Sequence, residues 1–228
     1  MNAPAPDRRL PALLLALTAV TGFVDAVSYL ALGHVFTANM TGNVVFLGFA
    51  IAAAPGLSVA RSGAALGAFI VGATIGGRLA VRMATDSRLR FTSVCFAIEA
   101  VLLLGAAALA VGAGDDLLRD PSRLYALIAV TGLAMGVRNA AVRNVAERDL
   151  TTTVLTLTIT GIAAESSLAG GVNPGWKRRA SSVMLMFAGA AAGAWLLRYS
   201  IALPIAVSGI VSGVCALLAF RAMAAPKG

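Results

Sequence analysis

The sequence predicts an all-α polytopic membrane protein, and three observations carry that prediction. Of its 228 residues 59% are hydrophobic and 12% charged, with a mean hydropathy of +0.87, more apolar surface than a water-soluble domain can cover. Apolar runs long enough to cross a hydrocarbon core of roughly 30 Å at about 1.5 Å per residue recur along the whole chain. The arginines and lysines behind the net charge of +8 fall in short clusters between those runs, a membrane-topology signal and not a phosphate-binding face. No nucleic-acid partner is expected. Residues 1–228 read as a single membrane domain surrounded by membrane lipid.

Arg8 and Arg9 precede LPALLLALTAVTGFV in the manner of a signal peptide. The apolar stretch nevertheless runs past Ser28 with no small-residue cleavage site followed by a soluble domain, so a first span over 11–32 is expected. Apolar length and flanking charge place further spans at 61–82, 91–112, 122–142, 179–197 and 201–221. Two shorter pieces, 40–54 and 150–164, begin at Met40-Thr41-Gly42-Asn43 and Leu150-Thr151-Thr152-Thr153. Cys95 and Cys215 sit singly inside apolar segments, which indicates neither a disulfide framework nor a metal or other cofactor.

The two short pieces belong to an internal repeat. Residues 21–47 align without a gap on 131–157 with eight of 27 positions identical, among them Thr21/Thr131, Gly22/Gly132, Val27/Val137 and Thr41/Thr151. GATIGG (72–77) and GAAAGA (189–194) follow in the same order. Two pseudo-repeats, 10–112 and 122–222, are the reading. If both short pieces cross the membrane, there are eight spans in 4+4 parallel repeats, and the basic residues divide ten to eight between the two faces. If both are re-entrant or half-spanning, there are six transmembrane helices in inverted halves, and only Arg61, Arg119, Arg123 and Arg198 oppose fourteen basic residues on the other face. The positive-inside rule prefers the second arrangement, with both termini cytoplasmic and the acidic loop GDDLLRD (114–120) outside.

That arrangement gives a meaning to HVFTANMTGNVVFLG (34–48). Non-helical backbone at membrane depth needs hydrogen-bond partners, which Thr37, Asn39, Thr41 and Asn43 can supply. A helix starting near Thr41 would aim its free N–H groups at the membrane interior, and Thr151 and Thr152 would do the same from the other face. Two such ends near the midplane form a site for an anion, a carboxylate or another strongly polar solute. The alternative is that Asn39 or Thr41 caps an ordinary short span.

Charged residues inside spans add to this. Thr18, Thr21, Gly22, Asp25, Ser28 and Tyr29 share one helix face, and an intramembrane carboxylate such as Asp25 is a functional candidate by default. The same face of the equivalent helix carries Thr131, Arg138 and Asn139, making Arg138 the expected counter-ion of Asp25. Alternatively, the two form a purely structural pair, or Arg138 snorkels at the interface. Glu99 is the other mid-span carboxylate and the candidate coupling group. His34, the single histidine, reads as a structural hydrogen-bonding residue without a metal role. Gly63/Gly67, Gly72/Gly76, Gly132/Gly136, Gly189/Gly193 and Gly209/Gly213 are GxxxG pairs for close helix packing, some of which could form a homodimer face. Lys177-Arg178-Arg179 reads as an anchor at anionic headgroups.

TGFVDAVSYLALGHVFTANMTGNVVFLG, followed by GLAMGVRNAAVRNV and TTTVLTLTITGIA, resembles the YoaK family of small bacterial integral membrane proteins over nearly the whole chain. Where the family's second motif has Gln-Asn, this chain has Arg138-Asn139. The resemblance implies a multi-pass inner (plasma) membrane protein and transfers no substrate, cofactor or mechanism. From the residues themselves, the expected function is a transporter or channel for a small polar solute or ion, with a site between the repeats. A non-catalytic scaffold or accessory protein is the alternative. An enzyme is not expected, because HExxH, GxSxG with a partner histidine, and paired carboxylates at metal spacing are all missing.

Overall fold

The computed structural model describes residues 10–145 and 155–224, and every regular element among them is helical. The elements are α1 (Leu10–Ala31), α2 (Met40–Ile51), α3 (Val59–Arg82), α4 (Arg88–Ala110), α5 (Pro121–Val145), α6 (Leu155–Ala164), α7 (Trp176–Leu196) and α8 (Ala202–Ala224). Short 3-10 turns at Asp115–Arg119 and Ser167–Ala169 interrupt the connections. Helices α1, α3, α4, α5 and α8 are long and apolar enough to cross a membrane. The sixth expected span, α7, is 21 residues long, but its first turn carries Lys177, Arg178 and Arg179, and this lowers its mean hydropathy. At 12 residues α2 is too short to cross, since a residue adds about 1.5 Å of helix, and the described part of α6 is 10 residues long.

Glycines set the closest helix crossings. A Cβ on Gly22 would collide with the Met186 carbonyl, and one on Gly189 with the Ala19 carbonyl, so α1 and α7 approach backbone to backbone. Gly72 and Gly136 do the same for α3 and α5, against Leu133 and Phe69. Four of the five GxxxG pairs thus pack inside the chain: 72/76, 132/136, 189/193 and 209/213. Gly63 and Gly67 face open space.

The contacts also give helix directions. Along α3 and α5, Ala65 meets Gly132, Phe69 meets Gly136 and Gly76 meets Ala140, so the two helices run parallel. Ala19 meets Gly189 and Phe23 meets Gly193, so α1 and α7 are parallel as well. Leu104 meets Gly209, Ala100 meets Gly213 and the Ser93 hydroxyl reaches the Ala216 carbonyl, so α4 and α8 are antiparallel. The main packed pairs are α3 with α5, α1 with α7, α4 with α8, α4 with α5, α1 with α8, α2 with α3 and α6 with α7. Exchanging α1–α4 with α5–α8 leaves that set unchanged.

Candidate functional site

After α1 the chain turns through Gly33 (φ +83) and His34 (φ +60). Glycine at 33 suits the left-handed backbone, and a Cβ there would lie 2.6 Å from an Arg61 guanidinium nitrogen, the mobile end of that side chain. Residues 32–39 then run back alongside α1 as a non-helical arm. The His34 and Phe36 rings lie 5.2 and 5.3 Å from the Tyr29 ring, and Phe46 of α2 stacks on Phe36 at 5.5 Å. Deeper still, the Ala38 N–H donates to the Asp25 Oδ1 at 3.2 Å. Asp25 is six residues before the end of α1, so the arm descends about 9 Å below it.

Asn43 holds the arm in place. Its Oδ1 accepts the Phe36 N–H at 2.8 Å and its Nδ2 donates to the Phe36 carbonyl, so one buried amide replaces the strand partner the arm lacks. Asn43 is the one buried residue of α2. Thr37 is fully buried, and its hydroxyl has no hydrogen-bond partner. Asp25 and Asn43 therefore hold the arm and Thr37 is buried within it, and none of the three is among the residues lining the cavity at the start of α2.

The arm delivers the start of α2 to a cavity of about 520 Å³. Asn39, Met40, Thr41 and Gly42 line it from α2, with no side-chain cap on the first turn. Thr21 of α1, Asn139 of α5 and Met186 of α7 complete three walls, and Leu155 and Thr156, the first described residues of α6, form another. Of the expected site residues, Asn39, Thr41 and Asn139 meet here. The expected Thr151 and Thr152 lie outside the described residues.

Behind Thr21 is a buried charge cluster. Arg138, 1% exposed, donates from Nη2 to the Thr21 hydroxyl at 2.7 Å and from Nη1 to the Leu17 carbonyl at 2.9 Å. The same Nη1 lies 3.4 Å from Glu99 Oε1, which also accepts from the Ser212 hydroxyl at 3.0 Å. Glu99 is fully buried, and its second oxygen has no partner. The expected Asp25–Arg138 pair makes no direct contact: Arg138 reaches α1 level with Leu17 and Thr21, and the carboxylate it touches is Glu99 of α4. The position equivalent to Thr21 keeps its local bond, Thr131 to the Leu127 carbonyl at 2.6 Å matching Thr21 to Leu17 at 3.1 Å. Sequence reasoning did not place Thr21, Thr156, Met186 or Ser212 in the site. The signal for Thr21 was its identity with Thr131, whereas Met186 and Ser212 carry none.

Buried charge, glycine-mediated crossings and long apolar helices define a polytopic helical membrane protein. The comparisons agree with that class. The model of the family described as protein of unknown function DUF1275 matches residues 13–218, and the chain belongs to that family. It is also similar to the UPF0700 transmembrane protein YoaK of Bacillus subtilis (strain 168), at 37% identity over 128 residues. That match covers 56% of this chain and 53% of the relative. No solved structure matches.

Proposed function

We propose that the protein is a transporter or channel for a small polar solute or ion in the bacterial inner membrane, and that the cavity between its two halves is the site. One observation carries this reading: the first turn of α2 and the first described residues of α6, Leu155 and Thr156, line the same cavity from opposite halves. Helix ends at membrane depth leave N–H groups that only a protein partner, water or a solute can satisfy.

Helix directions support an inverted relation between the halves. The chain reverses between α3 and α4 and again between α7 and α8, across connections at 83–87 and 197–201. With α1 parallel to α7 and α4 antiparallel to α8, α1 and α3 point in opposite directions. The segment between them then leaves and returns on one face, so α2 is half-spanning, and the same reasoning applies to α6 between α5 and α7. Parallel repeats would instead make α4 and α8 parallel. In the inverted arrangement Arg82, Arg88, Arg90 and Arg143 share the cytoplasmic face with both termini, opposite Arg61, Arg119, Arg123 and Arg198. Thr41, Asn39 and Asn139 contact the solute, Arg138 polarises the wall through Thr21, and Glu99 is the coupling carboxylate.

The reading is tested by reconstituting the protein in liposomes and recording currents on concentration jumps of chloride, phosphate, acetate and sodium. A current is expected for at least one ion, and Thr41→Val with Asn139→Leu should abolish it. Currents no larger than those of empty liposomes, or currents unchanged in the double variant, would refute the site. A non-catalytic scaffold is the second reading, favoured by the use of Asp25 and Asn43 in holding backbone, and it predicts the empty-liposome result.

A further inference from the structure

Outside the central cavity, α3 and α5 enclose a groove of about 1080 Å³ that opens to the protein's exterior. Phe69, Ala73, Ala80 and Val81 give it apolar walls, and on α3 it runs from Phe69 to Val81, about 18 Å of helix. Gly77 forms part of the wall, and a Cβ there would have nothing within 4 Å. Arg143 and Asn144 close one end of the groove. Arg143 is exposed and forms no ion pair among the described residues, and none of the described residues lining the groove is acidic. Because α3 and α5 run parallel, Arg82 in the last turn of α3 lies at the same end.

An apolar channel of this length in a membrane-facing surface, with cations at one end, has the chemistry of one kind of occupant. We propose that the groove binds an anionic glycerophospholipid, with an acyl chain along α3 and the phosphate at Arg143. Arginine suits a phosphate, which it can bind with two parallel N–H groups. Bilayer lipid provides the chain, and anionic lipid at a basic helix end provides the charge. Asn139 lines both this groove and the central cavity, so the bound lipid forms the lateral wall beside the site. The proposal needs only that the chain spans a membrane and is independent of the transport reading.

Native mass spectrometry of the purified full chain tests it, with dioleoyl phosphatidylglycerol and dioleoyl phosphatidylcholine as probes at equal concentration. The wild type should retain phosphatidylglycerol about fivefold better, the size of one basic side chain acting on an anionic headgroup. Arg143→Gln should reduce that preference, and Arg143→Gln with Arg82→Gln should equalise the two lipids. Gly77→Leu, whose Cβ has open space and whose side chain extends into the groove, should reduce retention of both in a protein that stays monodisperse. Equal retention by the wild type, a preference unchanged by Arg143→Gln, or retention unaffected by Gly77→Leu would each overturn the proposal.

Discussion

Replacing Arg138 by methionine tests the buried charge cluster. The substitution removes bonds to the Thr21 hydroxyl and the Leu17 carbonyl and leaves Glu99 at 0% exposure with only Ser212 beside it. In membrane proteins neutral interhelical hydrogen bonds average about 0.6 kcal/mol each. Breaking a buried ion pair by removing one partner costs about 3–5 kcal/mol. The stranded carboxylate therefore dominates, and Arg138→Met should destabilise by about 4 kcal/mol. Adding Glu99→Gln removes the stranded charge while keeping an acceptor for Ser212, and should restore all but about 1–2 kcal/mol. Unfolding in detergent with increasing SDS, followed by the fluorescence of Trp176 and Trp195, gives all four corners of the cycle. Additive effects of the two substitutions would refute direct coupling between Arg138 and Glu99.

Asn43→Leu leaves the Phe36 N–H and carbonyl without their partner, at about 1–3 kcal/mol per buried group. Hydrogen exchange should then accelerate at residues 32–39 while α4 and α8 stay protected. Gly136→Leu drives a side chain into the Phe69 carbonyl and should prevent recovery of a monodisperse protein by size exclusion. Gly63→Leu, whose Cβ meets nothing within 4 Å, should leave the elution profile unchanged.

Apolar length and flanking charge locate the helices well. The span expected at 91–112 is α4 at Arg88–Ala110, and the piece expected at 40–54 contains α2 at Met40–Ile51. Departures have a common cause. Helix α5 continues through Arg143 to Val145 and α7 begins at Trp176, because a helix can carry charge beyond the apolar part of its run while hydropathy stops at the first cation. The candidate cavity is half legible. Thr41 and Asn139 are polar residues in apolar surroundings, and both line it. Asn43 looks equally suited by composition, yet its amide is used on Phe36, seven residues back, a need created only once the arm folds against α1. Helix-face periodicity aimed Arg138 at α1, where it does bind Thr21, but periodicity holds no information on depth or on α4, which supplies Glu99.

The half-spanning character of α2 and α6 is the central claim, and cysteine labelling tests it most directly. With Cys95 and Cys215 changed to alanine, single cysteines are placed at Ala3 and Pro55, on either side of α1 and α2. A second pair is placed at Leu118 and Val172, on either side of α5 and α6. Pro55, Leu118 and Val172 are all exposed. Intact cells treated with a membrane-impermeant maleimide should label Pro55 and Leu118, and permeabilised cells should be needed to label Ala3 and Val172. Labelling of both members of a pair from the same face would mean that α2 or α6 crosses, and would contradict the inverted arrangement.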